Sequence, residues 1–115
     1  MAANRRRGEV EAVIDGRSMT LCLTLGALAE LEDAFAAEDV GALAARFGSG
    51  RLSARDLTRI IAAGLRGGGT SVRDDDVAAM RIDGGLAGAA AIAAELLAAA
   101  FGEAEPAPGA ASANP

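Results

Sequence analysis

Three segments of this chain carry residue types that could bind a metal or a phosphate. The run Asp74-Asp75-Asp76 could open an EF-hand loop, but Ala79 and Gly85 stand where that loop needs glycine and glutamate. The glycine-rich segment 67–71 lacks the lysine of a phosphate loop. The glycine-rich segment 84–88 lacks the first glycine of a dinucleotide fingerprint. We therefore predict a helix start and two turns here, with no metal and no cofactor.

The composition also excludes most nucleophilic and acid–base chemistry. The chain has no histidine, and all 11 of its cationic residues are arginine. A general-base histidine, a Schiff-base lysine and a histidine-ligated zinc therefore cannot form within it. The single cysteine, Cys22, has no basic neighbour in the sequence that would activate its thiol. We predict that the protein is not an enzyme.

Length and charge limit the remaining functions. The chain has 115 residues and a formal net charge of −5, which fits one domain with a modest core. A lone cysteine requires no oxidising compartment, and the alanine-rich stretch 86–101 is too short to span a bilayer. We predict a cytoplasmic protein with no membrane partner.

Nucleic-acid binding is disfavoured by the same composition. Arg5-Arg6-Arg7 could contact phosphates, and segment 53–66 could imitate a recognition helix. However, the chain is acidic overall and has only 3 aromatic residues, all phenylalanine, for base stacking. We predict no nucleic-acid partner, and a small nucleic-acid-binding regulator remains a distant alternative.

The chain divides into three parts by composition. We predict a flexible basic arm over residues 1–7, a single domain over 8–102 and a disordered tail over 103–115. The tail holds all 3 prolines and no large apolar side chain, so it cannot bury enough surface to offset the entropy cost of ordering.

The first predicted element is a β-hairpin around Asp15-Gly16, a dipeptide that suits a two-residue type I′ turn. Such a turn pairs Ile14 with Arg17 and fixes the register of both strands. One side of the hairpin is then apolar, and helices must cover it because an isolated hairpin is marginally stable. The residues predicted to face those helices are Val10, Ala12, Met19 and Leu21.

Five helices are predicted after the hairpin. Their first four N-caps are Thr24, Asp39, Ser53 and Ser71, and the fifth helix runs over about 86–101. The residues predicted to face the core are Leu25, Leu28, Leu31, Phe35, Val40, Leu43, Phe47, Leu57, Ile60, Ile61, Leu65, Val77 and Met80. The fold class is α+β, with an N-terminal β-hairpin packed on a mostly helical small domain.

Two charged faces form the candidate interaction surface. Arg55, Arg59 and Arg66 fall within about 40° of one another on the third helix, opposite its apolar stripe. The acidic residues of the first helix and the loop after it are Glu30, Glu32, Asp33, Glu38 and Asp39. Opposite charges on one small domain suit self-association or contact with a long charged helix. The alternative is that both faces are solvated and bind no partner.

Much of the chain resembles the small tail protein of gene transfer agents, the phage-like particles of alphaproteobacteria. The resemblance covers about residues 5–102. The segments that carry it are Arg7-Gly8-Glu9-Val10-Glu11-Ala12, Asp15-Gly16-Arg17, 21–32, 50–57, 63–67 and Val77-Ala78-Ala79-Met80.

That family has been described both as a tail tube protein and as a tail assembly chaperone, which coats the tape measure protein until the tube polymerises. The resemblance implies the tape measure protein and other tail proteins as partners, and it supplies no catalytic or ligand residues. We favour the chaperone because a tube subunit needs a closed ring of extended sheet, whereas this sequence predicts one hairpin. A structural tube component, associated with the particle, is the alternative.

Overall fold

The computed structural model describes residues 7–49 and 51–101. The predicted tail over 103–115, and the predicted arm except for Arg7, lie outside the described residues. The fold is α+β, as predicted. In chain order, the elements are β1 (Glu9–Ile14), β2 (Arg17–Cys22), α1 (Leu25–Ala34), α2 (Val40–Gly48), α3 (Ala54–Gly67), α4 (Asp74–Ala78) and α5 (Gly85–Phe101).

The hairpin has the predicted register. Ile14 pairs with Arg17 and Val10 with Leu21, while Asp15 and Gly16 both adopt positive φ, at 54° and 75°, as a type I′ turn requires. Ile14 and Leu21 are completely buried, at 0% exposure. The apolar side of the hairpin therefore faces the core, as the pattern predicts.

Helix α3 is the central helix of the domain. Its predicted apolar stripe, Leu57, Ile60, Ile61 and Leu65, is buried, and α1, α4, α5 and β2 all pack against it. The hairpin and α5 both approach α3 at Gly64, where an added Cβ would lie 2.9 Å from Leu96 Cδ1 and 3.3 Å from Leu21 Cβ. The small residue thus lets the hairpin and α5 meet on one face of α3.

The outer edge of β2 lies against the end of α3. A Cβ on Gly67 would stand 2.0 Å from the carbonyl oxygen of Cys22, and one on Gly68 would stand 2.1 Å from that of Thr20. Only glycine permits such an approach between backbones. The helix ends at Gly67, within the predicted turn, and Gly67 and Gly68 also cover a sheet edge.

The outer edge of β1 is covered near the turn. The amide of Asp83 donates to the carbonyl of Val13 at 3.1 Å, and the amide of Asp15 donates to the carbonyl of Arg81 at 2.7 Å. The segment before α5 therefore pairs with the end of the hairpin. It occupies the edge of β1 at which another strand could otherwise pair.

Three local predictions were wrong. Leu25 and Val40 are 84% and 41% exposed, because each is the first residue of its helix and projects beyond the packed face. Ser71 does not cap α4, which begins at Asp74, and the amide of Arg73 donates to Asp76 Oδ2 at 2.9 Å instead. The carbonyl of Val72 is held by Arg66, so the chain stays non-helical up to Arg73.

Candidate interaction surface

The three arginines of the predicted basic face have different surroundings. Arg55 is exposed, and Arg59 Nη1 donates to the carbonyl of Ala34 at 3.2 Å. Arg59 also lies over the ring of Phe35, 5.8 Å from its centroid. The second arginine of the cluster therefore binds α1 instead of projecting freely into solvent.

Arg66 joins three segments of the chain. Its Nη2 lies 2.7 Å from Glu30 Oε1 on α1, and its Nη1 lies 3.2 Å from Asp74 Oδ1 on α4. Nη1 also donates to the carbonyl of Val72 at 3.1 Å. Burial by itself lowers the pKa of Arg66, but the hydrogen bonds and charges of both carboxylates outweigh burial and raise it.

The predicted basic and acidic faces therefore meet within one molecule. Glu30 is taken by Arg66, and Asp39 caps α2 by accepting from the amide of Ala42 at 2.8 Å. Asp33 and Glu38 remain exposed. Their side chains, unlike those of Glu30 and Asp39, make no hydrogen bond or ion pair among the described residues.

On its other side, the basic cluster borders the acidic first turn of α4. Arg55 and Arg59 line a surface cleft of about 300 Å³ together with Asp74 and Asp75. Among the described residues, Arg55 is the one member of the cluster with neither a hydrogen bond nor an ion pair. Arg55 can therefore meet an acidic partner without breaking an internal contact. Its role as a contact stays a prediction.

A second charged site lies between α2 and α3. Asp56 accepts from the amide of Ser53 at 2.9 Å and its own amide donates to Ser53 Oγ at 3.1 Å, which completes the predicted capping box. Arg46 Nη2 lies 3.2 Å from Asp56 Oδ2, and the Arg46 guanidinium lies over Phe35. The capping box is readable from sequence, but the Arg46 contact is not, because it bridges two helices.

Burial by itself raises the pKa of Asp56, but the Ser53 hydrogen bonds and the charge of Arg46 outweigh burial and lower it. We expect Asp56→Asn to lower the free energy of unfolding at pH 7 by about 1 to 2 kcal/mol, because it removes a charge-assisted cap. A lowered pKa in the folded state gives stability that is present above the unfolded-state pKa and lost as pH falls through the folded-state pKa.

The difference between wild type and Asp56→Asn should therefore shrink below about pH 4. Urea unfolding at pH 7 and at pH 3 measures it, with the exposed Asp33→Asn as the control. A difference that is equal at both pH values would contradict a stabilising ionised carboxylate at Asp56.

The remaining sequence candidates include Cys22 and the acidic run Asp74-Asp75-Asp76. The Cys22 thiol donates to the carbonyl of Arg7 at 3.5 Å, and burial, followed by the charge of Glu9, raises its pKa. Within residues 7–49 and 51–101, no group of three His, Cys, Asp or Glu side chains could hold a metal ion. No helix in the same part of the chain is both long and apolar enough to cross a membrane.

The comparisons with known proteins identify the family. A family model described as phage tail tube protein, GTA-gp10, matches residues 7–103, from just before β1 to just beyond α5. No curated protein and no solved structure matches the chain significantly. Because the family model spans the hairpin and all five helices, the chain belongs to the phage tail tube protein family GTA-gp10.

Proposed function

We propose that this member of a phage-tail family acts as a tail assembly chaperone that binds the tape measure protein. Family membership makes it a protein of phage-tail morphogenesis in a gene transfer agent. The finer role is supported by one observation: neighbours within the chain cover parts of both edges of its small sheet. We propose that it works by binding alone, without catalysis.

A tube built as a ring of extended sheet needs two open edges on every subunit. Here the carbonyls of Thr20 and Cys22 on β2 face Gly68 and Gly67, and the carbonyl of Val13 on β1 accepts from Asp83. The sheet has two strands of six residues each. Adding strands from neighbouring subunits along these edges would require the domain to open first.

A chaperone needs the opposite properties. A helical body with covered sheet edges does not pair its strands with those of another molecule. It contacts its client through side chains. Complementary exposed charges speed the association of two proteins more than they raise the affinity. A chaperone bound through such contacts is therefore easily displaced. The exposed Arg55 on α3, and Asp33 and Glu38 near the end of α1, are available for such contacts.

Co-expression tests the proposed partner. A tagged tape measure protein is expressed with this chain, either alone or together with the protein that forms the tube. We expect this chain to co-purify in the first case and to be displaced in the second. Absence of co-purification in the first case would contradict the proposal.

Charge reversal tests the proposed surface. We expect Arg55→Glu to leave the fold intact and to reduce the number of tailed particles, because Arg55 is exposed and has no internal bond. Circular dichroism controls for folding, and particle complementation measures function. Normal tails from Arg55→Glu would remove this residue from the mechanism.

Arg66→Glu is the charge reversal matched to Arg55→Glu, and we expect it to destabilise the fold. It would place a third carboxylate between Glu30 and Asp74 and lower the free energy of unfolding by at least about 1 kcal/mol. Thermal unfolding of Arg55→Glu and Arg66→Glu measures the difference in stability between the two variants. Equal melting temperatures would show that the Arg66 contacts contribute nothing to stability.

A structural tube component is the second candidate, and the family description favours it. It predicts many copies of this chain in finished particles. It also predicts that the end of α3 moves away from β2 during assembly, since Gly67 and Gly68 lie against that edge.

A further inference from the structure

We propose that residues 70–80, here named the strap, open as a unit while the rest of the domain stays folded. The strap contains the short helix α4 and crosses one side of α3. It begins after Gly69, whose φ of 105° is a conformation that favours glycine.

Little fully buried side-chain surface holds the strap in place. Val77, at 3% exposure, is its one buried residue. Val72 and Met80 are partly buried against the core, and the amide of Thr70 donates to the carbonyl of Leu65 at 2.9 Å. Arg66 also bonds to Val72 and Asp74, and its ion pair with Asp74 is partly exposed to solvent. Segments with little buried apolar surface and exposed ion pairs open at a lower free energy than the global core.

The contact between the strap and the helices is also incompletely packed. A cavity of about 230 Å³ that is open to solvent lies between the strap, α3 and the start of α5. Leu57 and Ile61 line it from α3, Met80 lines it from the strap, and Leu86 of α5 borders it at 71% exposure. Atoms that line an open cavity lack packing partners on one side, so this part of the strap loses less packing when it lifts.

The far end of the strap is fixed. The amide of Arg81 donates to Asp15 Oδ1 at 2.8 Å, and Asp83 bonds to Val13. The residues after the strap are thereby attached to the hairpin turn. Opening therefore lifts residues 70–80 between two fixed points and exposes Leu57 and Ile61, which are otherwise 5% and 1% exposed.

Thiol labelling tests the opening directly, because Cys22 is the chain's one cysteine. In a Cys22→Ser background, Ile61→Cys places a thiol under the strap, and Ile60→Cys places an equally buried thiol that does not line the cavity. We expect a thiol-reactive disulfide reagent to label Ile61→Cys at least about tenfold faster than Ile60→Cys. Equal rates in two variants of equal stability would overturn the proposal.

The anchor is tested on the Ile61→Cys protein. Asp74→Asn removes the ion pair with Arg66 and should speed labelling by about two- to fivefold. The control Asp75→Asn changes a neighbouring exposed carboxylate without a bond to Arg66 and should leave the rate unchanged. Equal effects of the two variants would overturn the role of Arg66.

Hydrogen exchange of the unsubstituted chain gives the same test without any cysteine variant. We expect the amides of the strap to exchange before those of α3 and the hairpin, and the difference to grow with salt as the Arg66 pair is screened. Exchange of the strap together with α3, at one common rate, would overturn the proposal.

Discussion

Leu21→Asp is expected to unfold the domain. Leu21 is completely buried and pairs with Val10 on the apolar side of the hairpin. A carboxylate there has no cationic partner, so the substitution should cost on the order of 4 kcal/mol or more, comparable with the whole stability of a small domain. Circular dichroism and thermal unfolding measure the loss.

Val13→Asp is the matched control. It also replaces an aliphatic residue of the hairpin with aspartate, but Val13 lies on the opposite side of the sheet at 42% exposure. We expect a change within about 1 kcal/mol, because the carboxylate stays hydrated. Similar melting temperatures for Leu21→Asp and Val13→Asp would contradict the register and the position of the core.

Gly68→Ala is expected to destabilise the domain by ~2 kcal/mol or more, because the added methyl group would overlap the backbone. Its Cβ would lie 2.1 Å from the Thr20 carbonyl oxygen and 3.1 Å from Leu21 Cα. Neither atom belongs to a flexible side chain, so relief requires the end of α3 to move away from β2.

Gly48→Ala provides the control for this substitution. Gly48 also ends a helix, and a Cβ there meets no atom within 4 Å. We expect it to be neutral or to stabilise the domain by up to about 1 kcal/mol, through helix propensity. Chemical denaturation compares the two alanine variants. If Gly68→Ala were as mild as Gly48→Ala, the edge of β2 would not be covered by α3.

Local signals predicted much of the fold. The turn at Asp15-Gly16 sets the register of the hairpin by itself, since a two-residue loop leaves one pairing. Thr24 and Ser53 cap their helices through hydrogen bonds to residues three positions further along. Such short-range contacts depend on few neighbours, and the sequence pattern therefore identifies them.

Contacts between elements could not be predicted in the same way. Arg66 lies opposite the apolar stripe of α3, which indicates a solvated residue, but the antiparallel neighbour α1 brings Glu30 to it from 36 positions away. Gly67 and Gly68 were readable as a helix stop, but their contact with β2 depends on how α3 crosses the hairpin. The three arginines lie on α3, but the pattern did not predict the internal bonds of Arg59 and Arg66, and their role as an interaction surface stays a prediction.

The proposed chaperone role is tested most directly by the number of copies of this chain in purified, finished particles. Quantitative mass spectrometry against the protein that forms the tube measures this ratio, with the same cells before particle release as the control for expression. A chaperone is displaced when the tube polymerises, so we expect this chain to be abundant in the cells and nearly absent from the particles. A ratio near one copy per tube subunit would contradict the chaperone role and establish the chain as a structural component of the tail.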